Sequence, residues 1–109
     1  MADKSVQAFS VGTIEAVAKV VGELYSGSEL TRILASVNLP DPLGEGMTKW
    51  KRLAASMQEQ QFNQRDGRPI LALIIAAMAP DRTLDRRAAA SVTRDELTQI
   101  LSLSGYAVR

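Results

Sequence analysis

Residues 69–80 read PILALIIAAMAP: an unbroken apolar run, Ile70 to Ala79, with a proline at each end. Proline suits the first position of a helix, because the N–H it lacks has no partner there, and it cannot continue a helix that has already formed. The run shows no alternation of apolar and polar residues, so it does not read as a half-buried strand. It falls well short of the roughly 20 residues that a membrane-spanning helix needs. The expectation is a soluble helix over Ile70–Ala79. Its Leu and Ile side chains cover a broad side, and Ala72, Ala76 and Ala79 form a narrow small one. A helix apolar on all sides belongs at the centre of a bundle, and this reading makes the fold class all-α.

The flanking sequence keeps helical spacing. Ile14, Val17, Ala18, Val21 and Leu24 recur at three- and four-residue steps, with Glu15, Lys19 and Glu23 off that face. Ser26 and Glu29 fit a capping box, opening a helix with Leu30, Ile33, Leu34 and Val37 on its apolar stripe. Asn38 can adopt the left-handed conformation that ends a helix, and LPDPLGEG (39–46) cannot continue one. Thr48 is the candidate cap of the next helix. There Trp50, Leu53, Ala54 and Met57 share a face, while Lys49, Arg52, Ser56, Glu59 and Asn63 lie opposite and are expected to be exposed. Arg65-Asp-Gly67 breaks that helix. Residues 82–104 read as either one helix or two, with Thr93–Glu96 a second capping box or part of a longer helix. Gly105 fits a C-terminal cap with Tyr106 packing back over it. YAVR (106–109) is the one strand-like fragment. The sum is a single domain over 1–109, a bundle of five or six helices.

Composition excludes several kinds of chemistry. The 109 residues include no Cys and no His. This removes thiolate metal sites and disulfides, the commonest metal ligand, and the side chain that most often moves protons near neutral pH. GEGMTK lacks both a preceding strand and the spacing of a phosphate loop. Asp41, Glu45 and Asp66 fall in loops, with nothing in the spacing to bring two carboxylates onto one face. A Ser–Lys dyad would have to use Lys49 or Lys51. No enzymatic activity, cofactor or metal is expected. The start of the chain lacks a secretory leader, and a cytoplasmic location away from membranes is the expectation.

The basic residues remain. Lys49, Lys51, Arg52, Arg65 and Arg68 form one group in sequence; Arg82, Arg86 and Arg87, with Arg94, form a second. They could form a solvated face, paired with Asp66, Asp81, Asp85 and Glu96. They could instead contact a protein partner's carboxylates or nucleic-acid phosphates, both of which arginine binds bidentately. A net charge of +1 favours protein over a polyanion. Trp50 sits at a core-facing phase and is not expected to be a base-stacking platform.

The order GSELTRIL (27–34), LPDP (39–42), MTKWKRL (47–53), RDGRP (65–69) and AMAPDR (77–82) resembles the N-terminal helical domain of prokaryotic abortive-infection and related conflict proteins. In that family the domain often precedes a HEPN-type effector. The resemblance covers most of residues 24–106. It departs at Thr98, where the family pattern has Asn, and at SLSG (102–105), where the pattern is more aromatic. It implies a non-catalytic anti-phage defence module that senses, recruits or oligomerises through a protein partner or itself, excised from a longer protein. The length is compatible with a death-domain-like adaptor. The alternative is a nucleic-acid-binding sensor that uses the basic 49–68 surface.

Overall fold

The computed structural model describes residues 6–108. Among these every regular element is helical: α1 Val11–Leu24, α2 Gly27–Ser36, α3 Lys49–Gln64, α4 Arg68–Ala77, α5 Pro80–Thr83 and α6 Arg87–Ser102, with a 3-10 turn at Leu84–Arg86. The all-α expectation holds. Residues 82–104 resolve into the end of α5, the 3-10 turn and one long helix. Thr93–Glu96 lies inside α6, with Thr93 buried, and does not cap a new helix. Tyr106–Val108 form no strand, and Arg109 lies outside the described residues.

Local signals account for the ends. Ser10 caps α1 by accepting from the Thr13 N–H at 3.1 Å. The capping box on α2 forms in both directions: the Ser26 hydroxyl accepts from the Glu29 N–H at 3.3 Å, and the Glu29 carboxylate accepts from the Ser26 N–H at 2.8 Å. Asn38 closes α2 at φ 57°, and Gly105 turns the chain at φ 85°. After Gly105 the Tyr106 N–H returns to the Leu101 carbonyl at 3.2 Å, and its ring meets Phe9 at 6.0 Å between centroids. The left-handed residue that ends α3 is Arg65, at φ 62°, and not the nearby glycine. Gly67 is required for space. A Cβ there would lie 2.6 Å from the Gln7 carbonyl oxygen, because the segment before α1 crosses the α3–α4 turn and its Val6 carbonyl accepts from the Gly67 N–H at 2.9 Å.

The core joins Ile14, Val17, Ala18 and Val21 of α1 to Leu30, Ile33 and Leu34 of α2, Leu53 and Met57 of α3, Ile70, Leu73 and Ile74 of α4, and Leu97 and Leu101 of α6. The most extensive packing is of α1 on α3 and then on α6, so α1 is the central helix. This corrects the expectation that the apolar helix α4 is the sheathed one. It borders α1, α2 and α3 through Ile70, Leu73, Ile74 and Ala77. Its other side is open: Ile75 is 72% exposed, and Ala72 and Ala76 are only half-buried. Among the described residues no helix is long and apolar enough to cross a membrane.

Candidate functional site

The two sequence groups of basic residues divide by role once folded. Some hold the corner where α1 turns into α2. That corner exposes the last carbonyls of α1 and the first residues of α2, and cations are favoured beside a helix C-terminus. The Lys49 ammonium donates to the Tyr25 carbonyl at 3.0 Å, and Arg86 Nη1 donates to the Leu24 carbonyl at 2.8 Å. Arg86 also pairs with Glu29 at 2.6 Å and Asp85 at 3.0 Å, and its guanidinium lies 4.8 Å from the centre of the Tyr25 ring. Tyr25 in turn donates its hydroxyl to the Ala77 carbonyl, which ties the corner to α4.

Arg52 corrects the sequence reading most sharply. It is 1% exposed, not surface. Its Nε and Nη2 grip the Asp41 carboxylate at 2.9 and 2.6 Å, Nη1 donates to the Gly27 carbonyl at 2.9 Å, and Nη2 also donates to the Thr31 hydroxyl at 2.7 Å. The Thr31 hydroxyl donates in turn to the Glu45 carboxylate at 2.8 Å. Ser56, also expected outside, is buried and donates to the Pro40 carbonyl. The reason is tertiary. The α2–α3 loop folds back over the first half of the polar stripe of α3 and covers Arg52 and Ser56, while Glu59 and Asn63 stay exposed.

The other candidates do not form one patch. Lys49 and Lys51 stand at the start of α3 and Arg65 at its end; at about 1.5 Å per residue Lys51 and Arg65 are about 21 Å apart along the axis. Arg68 pairs with the buried Asp66 at 2.6 Å. Arg82 is half-buried in a polar depression of about 380 Å³ shared with Tyr25, Glu29, Arg32 and Asp85. Arg65 and Arg87 are exposed. At the start of α3, Trp50 is half-buried, with the ammoniums of Lys19 and Lys51 at 4.8 and 5.8 Å from its ring centre.

The structure also brings carboxylates together, contrary to the sequence expectation: Glu29 and Asp85 meet on Arg86, and Asp41 and Glu45 meet across Arg52 and Thr31. These are charge clamps. The Arg86 guanidinium and then the Ser26 N–H hold the Glu29 carboxyl down at about 2. Arg52 lowers Asp41, and Arg86 lowers Asp85, in each case against a smaller opposing cost of burial. Carboxylates held this firmly in the ionised form are poor proton donors near neutral pH. Burial raises the Tyr25 hydroxyl, away from the range where it would serve as a base. Among the described residues no group of three or more Asp, Glu, His or Cys could hold a metal ion.

Two apolar grooves had no signal in the spacing. One, about 430 Å³, runs between α4 and the C-terminal segment, lined by Leu71, Ile75, Met78, Leu101, Tyr106 and Val108. The other, about 560 Å³, lies between α1 and α3, with Val11, Ile14, Gln58, Phe62 and Arg65 on its walls. Phe62 is 81% exposed there. An exposed Phe late in a polar helix is the one sequence feature that could have marked this groove. Compared with known proteins, the chain matches no protein-family model, no curated protein and no solved structure.

Proposed function

We propose that this chain is a non-catalytic helical interaction module that binds a protein partner or a second copy of itself, acting in recruitment, oligomerisation or sensing within a bacterial anti-phage defence protein. The observation that carries the interaction reading is the pairing of exposed Phe62 and Val11, 81% and 59% exposed, with the guanidinium of Arg65, which has no ion pair among the described residues, on one groove. An exposed aromatic beside an arginine is the composition of protein-binding surfaces. Arg52, Arg68 and Arg86, three of the nine arginines, are already spent on internal carboxylates. The motif order from Ser26 to Tyr106 supports the defence assignment, and the length and helix number are compatible with a death-domain-like adaptor.

Light scattering across a concentration series, with Phe62→Ser beside the parent, tests the reading together with a titration of labelled RNA and DNA at two salt concentrations. Concentration-dependent assembly that Phe62→Ser weakens supports it. Micromolar nucleic-acid binding that weakens steeply with salt would favour a nucleic-acid sensor instead. Turnover of RNA, DNA, nucleotide or peptide that tracks with the protein would overturn the non-catalytic part.

A further inference from the structure

Gly22 faces the first turn of α3, where an added Cβ would lie 3.5 Å from the Lys49 Cβ and the Trp50 nitrogen. This close approach sets the lysines of two helices around one ring. Lys19 comes from α1 and Lys51 from α3, both over Trp50, and Lys49 is its neighbour, beside a shallow depression of about 300 Å³. Glu23 lines the same depression, yet no carboxylate among the described residues lies within ion-pairing distance of Lys19, Lys49 or Lys51. Trp50 holds the ammoniums of Lys19 and Lys51 over its ring, and the Tyr25 carbonyl accepts from that of Lys49. The three cations stand beside a helix N-terminus, where the backbone favours anions. The first turn of α3 carries no acidic residue, and Thr48 makes no capping bond. An anionic partner would complement both the lysines and the open helix end.

We propose that Lys19, Lys49 and Lys51 around Trp50 form a docking site for an acidic protein segment, one that presents Asp or Glu side chains in series. The inference rests on the interaction-module reading and names the partner's chemistry. Nucleic acid fits the site less well. Trp50 packs against the core, and two ammoniums already lie over its ring, where a base would have to stack.

Trp50 is the sole tryptophan, so its emission reports on this site alone. The probe is a short polyglutamate peptide without aromatic residues, titrated at low and at physiological salt into the whole chain. A saturable change in Trp50 emission is expected, with affinity about tenfold weaker in a Lys19→Gln, Lys51→Gln double variant whose circular dichroism is unchanged. The single variants should each show part of that loss. An Arg32→Gln, Arg87→Gln control removes the same charge at two exposed positions elsewhere and should bind like the parent. No saturable change at low salt, equal loss in the control, or tighter binding of an oligothymidylate of matched charge would each overturn the proposal. Assembly that depends on Phe62 but not on the lysines would remove this site and leave the module reading standing. Turnover of a substrate would remove the module reading, whatever polyglutamate does.

Discussion

Arg52 carries several jobs with one guanidinium: it neutralises Asp41, satisfies the Gly27 carbonyl and orients Thr31. Removing one member of a buried ion pair leaves the other groups without partners, and that loss outweighs whatever the intact pair contributes. Arg52→Glu, which an exposed position would tolerate, is therefore expected to cost about 3 kcal/mol or more and to release the α2–α3 loop. Urea denaturation measures it, and an unchanged midpoint would contradict the buried clamp. The glycines make a paired case. Gly67→Ala drives a methyl into the Gln7 carbonyl and the Phe9 ring, at 2.6 and 2.8 Å, and should destabilise by about 1–3 kcal/mol. Gly22→Ala meets its neighbours at an ordinary 3.5 Å and replaces a helix-interior glycine, so it should be neutral or stabilising by up to about 1 kcal/mol. Thermal unfolding of the two variants side by side checks both signs.

At the scale of elements, α4 separates burial from apolarity. Ile74 and Ile75 are adjacent and chemically identical, yet 3% and 72% exposed. Ile74→Asp places an unpaired charge in the core and should cost several kcal/mol, whereas Ile75→Asp faces solvent and should stay within about 0.5 kcal/mol. Equal effects on the urea midpoint would mean that the assigned faces are wrong. The helix itself was legible because its prolines and its composition are local. Its orientation was not, because no polar side chain marks which side faces water. The same division runs through α3. The stripe Leu53, Ala54 and Met57 was readable from spacing. The burial of Arg52 and Ser56 was not, because the loop that covers them is held by Asp41 and the Pro40 carbonyl, and a helical wheel carries no information about a loop that folds back onto it. The capping box at Ser26 was readable for the opposite reason: all its atoms lie within three residues. At the candidate site, the lysines of α3 could be named from sequence. Lys19 could not, since only the approach of α1 and α3 across Gly22 brings it to Trp50.

Across the whole molecule, acidic groups joined to arginines tie together elements distant in sequence, so the fold should carry a specific acid sensitivity. Arg86 links Glu29 at the start of α2 to the 3-10 turn and to the end of α1. Arg52 links the α2–α3 loop to α2. A carboxylate whose folded pKa lies below its unfolded value binds fewer protons when folded than when unfolded. Its stabilisation is present above the unfolded pKa and is lost as pH falls through the folded one. For Glu29 that window runs from 4.5 down to about 2, and Asp41 and Asp85 are shifted in the same direction. The melting temperature should therefore be flat above the window and fall within it. Glu29→Gln isolates the charge, because glutamine keeps an oxygen that can accept from the Ser26 N–H but cannot ion-pair with Arg86. The variant should melt lower than the parent near neutral pH, show a shallower fall on acidification, and converge with the parent as pH approaches 2. Circular dichroism melts across that range measure all three. Parallel curves for parent and variant would mean that the Glu29–Arg86 pair adds nothing to the fold, and the acid sensitivity would then have to reside in the other lowered carboxyls, Asp41, Asp66 and Asp85.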